Sequence, residues 1–269
     1  MIQICIAGIT GWTGAAIARA VDKADDLVLT SGVCRSPVGS SLSGALDVKA
    51  TGLIHSSVPD ALSASRFDVL IDYTSATAVK ENVWAAVRAG VHVVVGSSGL
   101  TAADYQELDV LARQKGVGVI AAGNFSLMAA ILRHSARAAA RHLNHWEIID
   151  YASDTKPDVP SGTARDLAET LAEVHMPRAA LSRAELIGPV EAVGAQVAGS
   201  RVHSVRLPGF VVSTEIVFGA PGERLILRHD PGSSPAPYVA GTLMAVRNVA
   251  SMVGVRRGLE SLLFASPET

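Results

Sequence analysis

The first twenty residues constrain this chain most. Ile2-Gln3-Ile4-Cys5-Ile6-Ala7 is a short apolar run suited to a strand buried on both faces. It runs directly into Gly8-Ile9-Thr10-Gly11-Trp12-Thr13-Gly14, and Trp12 to Val21 then reads as an Ala-rich helix. A strand, a glycine turn of GxxGxxG spacing and a helix together make the cradle that a dinucleotide pyrophosphate requires. The first glycine permits the tight turn, the second lets backbone N–H groups approach the phosphates, and the third lets helix and strand pack closely. Gly8, Thr10, Gly11, Trp12, Thr13 and Gly14 are therefore candidate cofactor contacts. The alternative is a glycine turn that is only a turn.

The end of the next strand, Leu27–Val33, bears on which dinucleotide. NAD-binding chains tend to place an acidic residue there to hold the ribose 2′-OH. Here the strand ends Val33-Cys34-Arg35-Ser36, with no acid. An arginine fork matches phosphate geometry, so Arg35, with Ser36 and Ser40 or Ser41, is suited to a 2′-phosphate. NADPH is the expected cofactor and NADH a weaker one; a plain surface arginine is the alternative.

Strands and helices then alternate. Strands are expected at Phe67–Ile71, Val91–Val95 and Val117–Ala121, and helices at Ala76–Arg88 and, after a Thr101 cap, Ala102–Lys115. Ser36–Gly44 reads as a loop. Such alternation implies parallel βαβ units and a doubly wound sheet. The pattern changes near residue 122. A long helix is expected from Phe125 to Arg141, a strand at Trp146–Tyr151, and a helix from Gly162 to Val174. Strands follow at Val202–Leu207, Val211–Phe218 and Arg224–His229, the last two joined through Ala220-Pro221-Gly222-Glu223. Pro231–Pro237 reads as a loop, and helix resumes at Val239–Val249. The fold class is α/β: a Rossmann-type sheet followed by an α+β part with an antiparallel or mixed sheet.

Composition narrows the partners. With 269 residues, 49% hydrophobic and 18% charged, the chain can bury one large or two modest cores. A net charge of −2 gives no electrostatic reason to expect nucleic acid or an anionic membrane surface. Mean hydropathy is +0.32, yet no apolar run approaches the ~18 residues of a membrane span. The opening residues lack a basic segment and a cleavage site, and two cysteines, Cys5 and Cys34, are too few for a disulfide framework. A cytoplasmic protein is expected. His142 and His145 have no carboxylate partner in register, so no metal site is expected.

A second cradle is written at Asp154-Thr155-Lys156-Pro157-Asp158-Val159-Pro160-Ser161-Gly162-Thr163-Ala164, between a strand and a helix. Ser161, Gly162 and Thr163 bring two hydroxyls and free backbone N–H groups to a helix start, which suits an anion. Lys156 can close on the same anion or donate a proton. Alternatively, Ser161 is only an N-cap and Lys156 a solvated charge.

Taken together these motifs resemble the 4-hydroxy-tetrahydrodipicolinate reductase (dihydrodipicolinate reductase) family over essentially the whole length. The resemblance rests on Gly8/Gly11/Gly14, Asp72-Tyr73-Thr74, Gly96-Ser97-Ser98-Gly99, Asn124-Phe125-Ser126, the run Lys156 to Ala164, His203-Ser204-Val205-Arg206-Leu207-Pro208-Gly209 and Phe218-Gly219. It implies a nucleotide domain of residues 1–122 and 242–269. Residues 123–241 would form a substrate-binding and oligomerisation domain, and the protein would be a homotetramer built on the substrate-domain sheets. It also implies that Gly96, Ser98 and Gly99 line the nicotinamide side with Thr74, Asn124 and Phe125 close by. Lys156, Ser161, Gly162 and Thr163 would hold a small-molecule substrate by its carboxylates, Lys156 being the catalytic candidate. The activity implied is hydride transfer to a cyclic imine or enamine in diaminopimelate and lysine biosynthesis. The chain also departs from the family pattern. Ala152 and Ser153 stand where the family has two histidines, Trp12 replaces an arginine in the glycine turn, and the loop Pro231–Pro237 lacks a carboxylate-binding arginine. A lost charge-assisted hydrogen bond is worth roughly 1.5–3 kcal/mol. A related reductase of another imine or activated C=C substrate is therefore an alternative, and a non-catalytic NADP(H) sensor a further one.

Overall fold

The computed structural model describes residues 1–264. It divides into two compact units: Met1–Leu127 with the chain from Pro235 onward, and Met128–Ser234. In chain order the first stretch holds β1 (Ile2–Ala7), α1 (Trp12–Val21), β2 (Leu27–Val33), α2 (Leu42–Ala45), β3 (Ile54–His55), α3 (Val58–Ala64), β4 (Val69–Asp72), α4 (Val79–Arg88), β5 (His92–Val95), α5 (Ala102–Lys115) and β6 (Gly118–Ala121). Next come α6 (Leu127–Ala140), β7 (Trp146–Ala152), α7 (Gly162–Ala172), β8 (Ala195–Val197), β9 (Ser200–Arg206), β10 (Val212–Ala220) and β11 (Glu223–His229). The chain then returns to the first unit with α8 (Ala236–Val249), β12 (Gly254–Arg257) and α9 (Glu260–Leu263).

The first unit is a seven-stranded parallel sheet in the order β12-β6-β5-β4-β1-β2-β3. Its strands are continuous apolar runs because both faces are covered. β4 is buried at all four positions, and β1 at its last four. The order reverses at β1, which pairs β2 on one side and β4 on the other. Ligands of open α/β sheets bind outside the strand ends at such a reversal.

The second unit is a mixed five-stranded sheet in the order β11-β10-β7-β9-β8, with β7 and β9 parallel. β7 shows why one face is covered: buried and half-buried residues alternate strictly along Trp146–Ala152. Ile148, Ile216, Phe218 and Val202 pack with Leu132 and Ala136 of α6 and Leu167 and Leu171 of α7. The β10–β11 hairpin turns at Pro221-Gly222, and Gly222 takes φ +84°, a left-handed conformation that glycine adopts without cost.

Several elements differ from the sequence expectation. The short β3, β8 and β12, and helices α2 and α3, lie outside the elements expected from the sequence. β12 carries a single apolar side chain in Gly-Val-Arg-Arg, so neither period nor propensity marks it; parallel pairing with β6 makes it a strand. Ser36–Gly44 is not wholly loop, since Ser41 caps α2 from Leu42. Helix α6 begins at Leu127 rather than Phe125, and Phe125 is instead buried at 1% exposure. Pro231–Pro237 is likewise not wholly loop. α8 starts at Ala236, because proline costs no hydrogen bond in a helix's first turn. The unit boundaries fall after Leu127 and before Pro235, where the sequence suggested 122 and 242. α8 is one uninterrupted helix, and its Gly241 packs on the Phe125 backbone, so the helix cannot be cut at 242.

That contact is testable. Alanine at position 241 favours a helix by ~1 kcal/mol over glycine, but its methyl would sit 2.0 Å from the Phe125 carbonyl oxygen. Overpacking of this kind costs about 1–3 kcal/mol or more, so the collision wins. Gly241→Ala is expected to lower the urea midpoint with an unchanged slope. A midpoint at or above that of the parent protein would refute the packing.

Candidate active site

In the first unit the turn after β1 meets the turn after β4. A Cβ at Gly8 would lie 2.2 Å from the Tyr73 carbonyl oxygen, and Gly8 has φ +79°. A Cβ at Gly14 would lie 2.1 Å from the Gly8 oxygen. Both positions therefore require glycine on steric grounds alone. Gly11 is different: it N-caps α1 in ordinary extended backbone, φ −70°, and its Cβ would meet only the Gly8 oxygen, at 3.0 Å. The first turn of α1 has no acidic residue and no side-chain cap. Its N–H groups and the positive end of the helix dipole are thus open to an anion. Thr10 and Trp12 are exposed, and Thr13 is half-buried.

The other expected cofactor residues follow the carboxyl ends of neighbouring strands. Arg35 lies two residues beyond β2 and is exposed, as are Ser98 and Gly99 after β5. Gly99 has φ +123°. Gly96 is held against the Tyr73 ring, which a Cβ would strike at 2.3 Å. Thr74 is pinned by the buried Asp72 carboxylate, which accepts from the Thr74 N–H at 3.1 Å and its hydroxyl at 2.8 Å. Asp72 also accepts from the Ser97 hydroxyl and from Asn82 Nδ2 at 2.8 Å, and Ser97 Oγ accepts from the Thr74 N–H at 2.7 Å. One carboxylate thus fixes the loops after β4 and β5 together. Asn124 follows β6 and accepts from the Ser126 N–H at 2.8 Å. Phe125 differs from its companions: its ring is buried, 6.1 Å from that of Tyr73, and serves packing rather than the rim.

In the second unit the loop from β7 to α7 carries Lys156, Ser161, Gly162 and Thr163. Ser161 is 1% exposed and N-caps α7, accepting from the Ala164 N–H at 3.3 Å. Gly162 is exposed, with open space where a Cβ would stand, and the first turn of α7 has no acidic residue. Lys156 Nζ pairs with Asp158 Oδ1 at 2.8 Å. Burial raises the Asp158 carboxyl, but its hydrogen bond and attraction to Lys156 outweigh this and hold it below the usual range.

What holds this loop was not read from the sequence. Asp150 is fully buried, and its Oδ2 accepts from the Ser161 N–H at 2.8 Å, Arg206 Nη2 at 2.7 Å and Ser204 Oγ at 3.3 Å. Arg206 Nη2 also donates to the Asp158 carbonyl at 2.8 Å. The pair therefore ties the ends of β7 and β9 to Asp158 and Ser161 of the loop. A faint signal exists: period-2 alternation in Val202-His203-Ser204-Val205-Arg206 puts Arg206 on the same face as buried Val202. Asp150 Oδ1 and Arg206 Nε have no hydrogen-bond partner among the described residues. Mutual charge compensation is thus what makes the burial tolerable. Among the described residues no His, Cys, Asp and Glu cluster could hold a metal, and no helix is long and apolar enough to cross a membrane.

Breaking a buried pair costs about 3–5 kcal/mol because a charge is left uncompensated. Arg206→Ala should destabilise the fold by that order in urea denaturation. A loss under about 1 kcal/mol would show that the pair behaves like a surface ion pair.

Comparison with known proteins agrees over nearly the whole chain. The family model "Dihydrodipicolinate reductase, N-terminus" matches residues 2–125, and "Dihydrodipicolinate reductase, C-terminus" matches residues 125–263. A 4-hydroxy-tetrahydrodipicolinate reductase of Moorella thermoacetica is 35% identical, over 97% of this chain and 98% of that one. The enzyme of the same name from Thermosynechococcus vestitus is 35% identical over 97% of each chain. Among solved structures, a dipicolinate-bound dihydrodipicolinate reductase from Paenisporosarcina superposes with a TM-score of 0.79 at 29% identity, covering 97% of this chain and 99% of that one. An amine dehydrogenase from Mycobacterium smegmatis, at 16% identity and TM-score 0.65, shares the fold.

Proposed function

Because the chain belongs to the dihydrodipicolinate reductase family, we propose that it reduces 4-hydroxy-tetrahydrodipicolinate or a closely related cyclic imine, with NADPH preferred over NADH. The chain is an NAD(P)H-dependent reductase of the family that serves diaminopimelate and lysine biosynthesis. The observation that carries the cofactor reading is the turn at the sheet's point of reversal. Gly8 and Gly14 are compacted to backbone contact, Gly11 leaves its outer side bare, and the α1 N-terminus is open. These residues fit a pyrophosphate. When bound, the reduced nicotinamide supplies a hydride.

Arg35 supports the 2′-phosphate, since it is exposed just beyond β2 and residues 34–36 contain no acid to prefer a free hydroxyl. Arg35→Ala should narrow the NADPH-over-NADH preference by about tenfold or more, measured by calorimetric titration. Equal affinities in the unmodified protein would sink the assignment.

Gly162 and Thr163 at the start of α7 would hold a substrate carboxylate through their N–H groups and the Thr163 hydroxyl, with Ser161, whose N–H is committed to Asp150, contributing its hydroxyl as the cap of that turn. Lys156 would leave Asp158, stabilise negative charge developing on the substrate and deliver a proton to the atom left electron-rich by hydride addition. Ala152 and Ser153 strengthen this assignment. Ala152 is fully buried and carries no proton, which leaves Lys156 as the ammonium of the loop. Those two residues also favour a second reading, in which the substrate is a different cyclic imine. The test is NADPH oxidation with freshly generated 4-hydroxy-tetrahydrodipicolinate beside a panel of cyclic imines. Activity only on the panel supports the second reading, and none on either refutes both. Lys156→Met should lower turnover by about 10²–10⁴ with NADPH affinity unchanged. Retention of more than half the turnover would make Lys156 structural.

The exposed Leu225 and Ile226 of β11 support assembly through the second sheet, and we place the protein as a homotetramer, to be checked by light scattering. Cys5 and Cys34 are both free, and burial pushes the Cys5 thiol up to about 12; this suits the cytoplasm.

A further inference from the structure

Trp12 is the first residue of α1 and is 53% exposed, whereas the other two tryptophans, Trp84 and Trp146, are 9% and 4% exposed. A large aromatic ring left half in water beside a bare phosphate turn forgoes much of its hydrophobic stabilisation unless something covers it. The ring is not loose. It meets Tyr238 of α8 edge to face, with centroids 5.9 Å apart and planes at 64°. One turn along α8, the Thr242 hydroxyl donates to the Tyr238 carbonyl at 2.8 Å and lies 2.8 Å from the Tyr73 hydroxyl. The Tyr73 ring in turn abuts Gly96. A continuous wall thus runs from the loop after β5, through Tyr73, Thr242 and Tyr238, to Trp12 at the phosphate turn, all within the first unit.

The wall has a side. A dinucleotide centred on the β1 turn extends one half toward β2, where Arg35 stands, and the other toward β4 and β5. Trp12 leans on the first turn of α8, whose body packs over α1, β5 and β6, while its opposite end reaches Asp26, ahead of β2, through Arg247. We propose that Trp12 is a cofactor-contacting residue whose indole covers the nicotinamide half of the bound dinucleotide. The proposal rests on the dinucleotide reading above. An indole pre-set by Tyr238 loses little freedom on contact and offers a broad apolar face to the nicotinamide ring.

The test uses NADPH and adenosine 2′,5′-bisphosphate, which lacks the nicotinamide half. Calorimetry should show Trp12→Ala binding NADPH roughly ten- to a hundredfold more weakly, the range for loss of a stacking platform, while its affinity for the bisphosphate stays at the parent value. In the parent protein, tryptophan excitation should give sensitised dihydronicotinamide emission, and Trp12→Phe should lose most of it while still binding NADPH. Unchanged NADPH affinity in Trp12→Ala, or full sensitised emission in Trp12→Phe, would overturn the contact. Equal weakening toward both ligands would overturn its assignment to the nicotinamide half. If the parent protein binds neither NADPH nor NADH, the dinucleotide reading itself falls and takes this inference with it.

Discussion

The first unit depends on one steric fact: the turn after β1 and the turn after β4 touch backbone to backbone. Gly8 can lie against the Tyr73 carbonyl only because it lacks a Cβ and accepts a positive φ. That approach sits where β1 is flanked by β2 and β4, the reversal of the strand order. From it follow the direction of α1 and the exposure of that helix's N-terminus. It also sets the position of Thr74, which Asp72 then locks to Ser97 and the next loop. The glycines divide into two kinds. Gly8 and Gly14 are needed to build the turn, whereas the fold alone places much less demand on Gly11, and its small size makes sense chiefly if a phosphate must come close.

The second unit uses charge where the first uses close packing. Asp150 and Arg206 are costly to bury singly, and together they bind the end of the central strand to the middle and the helix end of the loop before α7. The loop needs that anchoring because it is rich in exposed polar residues and prolines and has little apolar surface of its own. One buried pair holds both the Ser161 N–H and the Asp158 carbonyl, so few residues fix the loop.

The substrate side is also where this chain parts from the pattern it otherwise follows. Two positions that carry histidine in the resemblance hold a buried methyl at Ala152 and a hydroxyl at Ser153, whose Oγ lies 2.9 Å from Thr155 Oγ1. Lys156 is the basic side chain that this loop retains. It is paired with Asp158 at 2.8 Å.

Local chemistry made much of the molecule legible in the sequence. Apolar runs marked β1, β2, β4 and β6, a Thr101 cap marked α5, and the Pro160-Ser161 step marked the start of α7, because each is settled by neighbours a few residues away. The glycine turn was readable for the same reason, and so was family membership. Tertiary structure alone decided the rest. β12 is a strand only because β6 lies beside it, and Phe125 leaves its expected helix to pack near Tyr73 and Gly241. Arg206 becomes the anchor of a loop 48 residues away, and Trp12 finds Tyr238 from the far end of the chain. Such contacts leave no period in the sequence, because they depend on which surfaces the fold brings together rather than on what each segment prefers by itself.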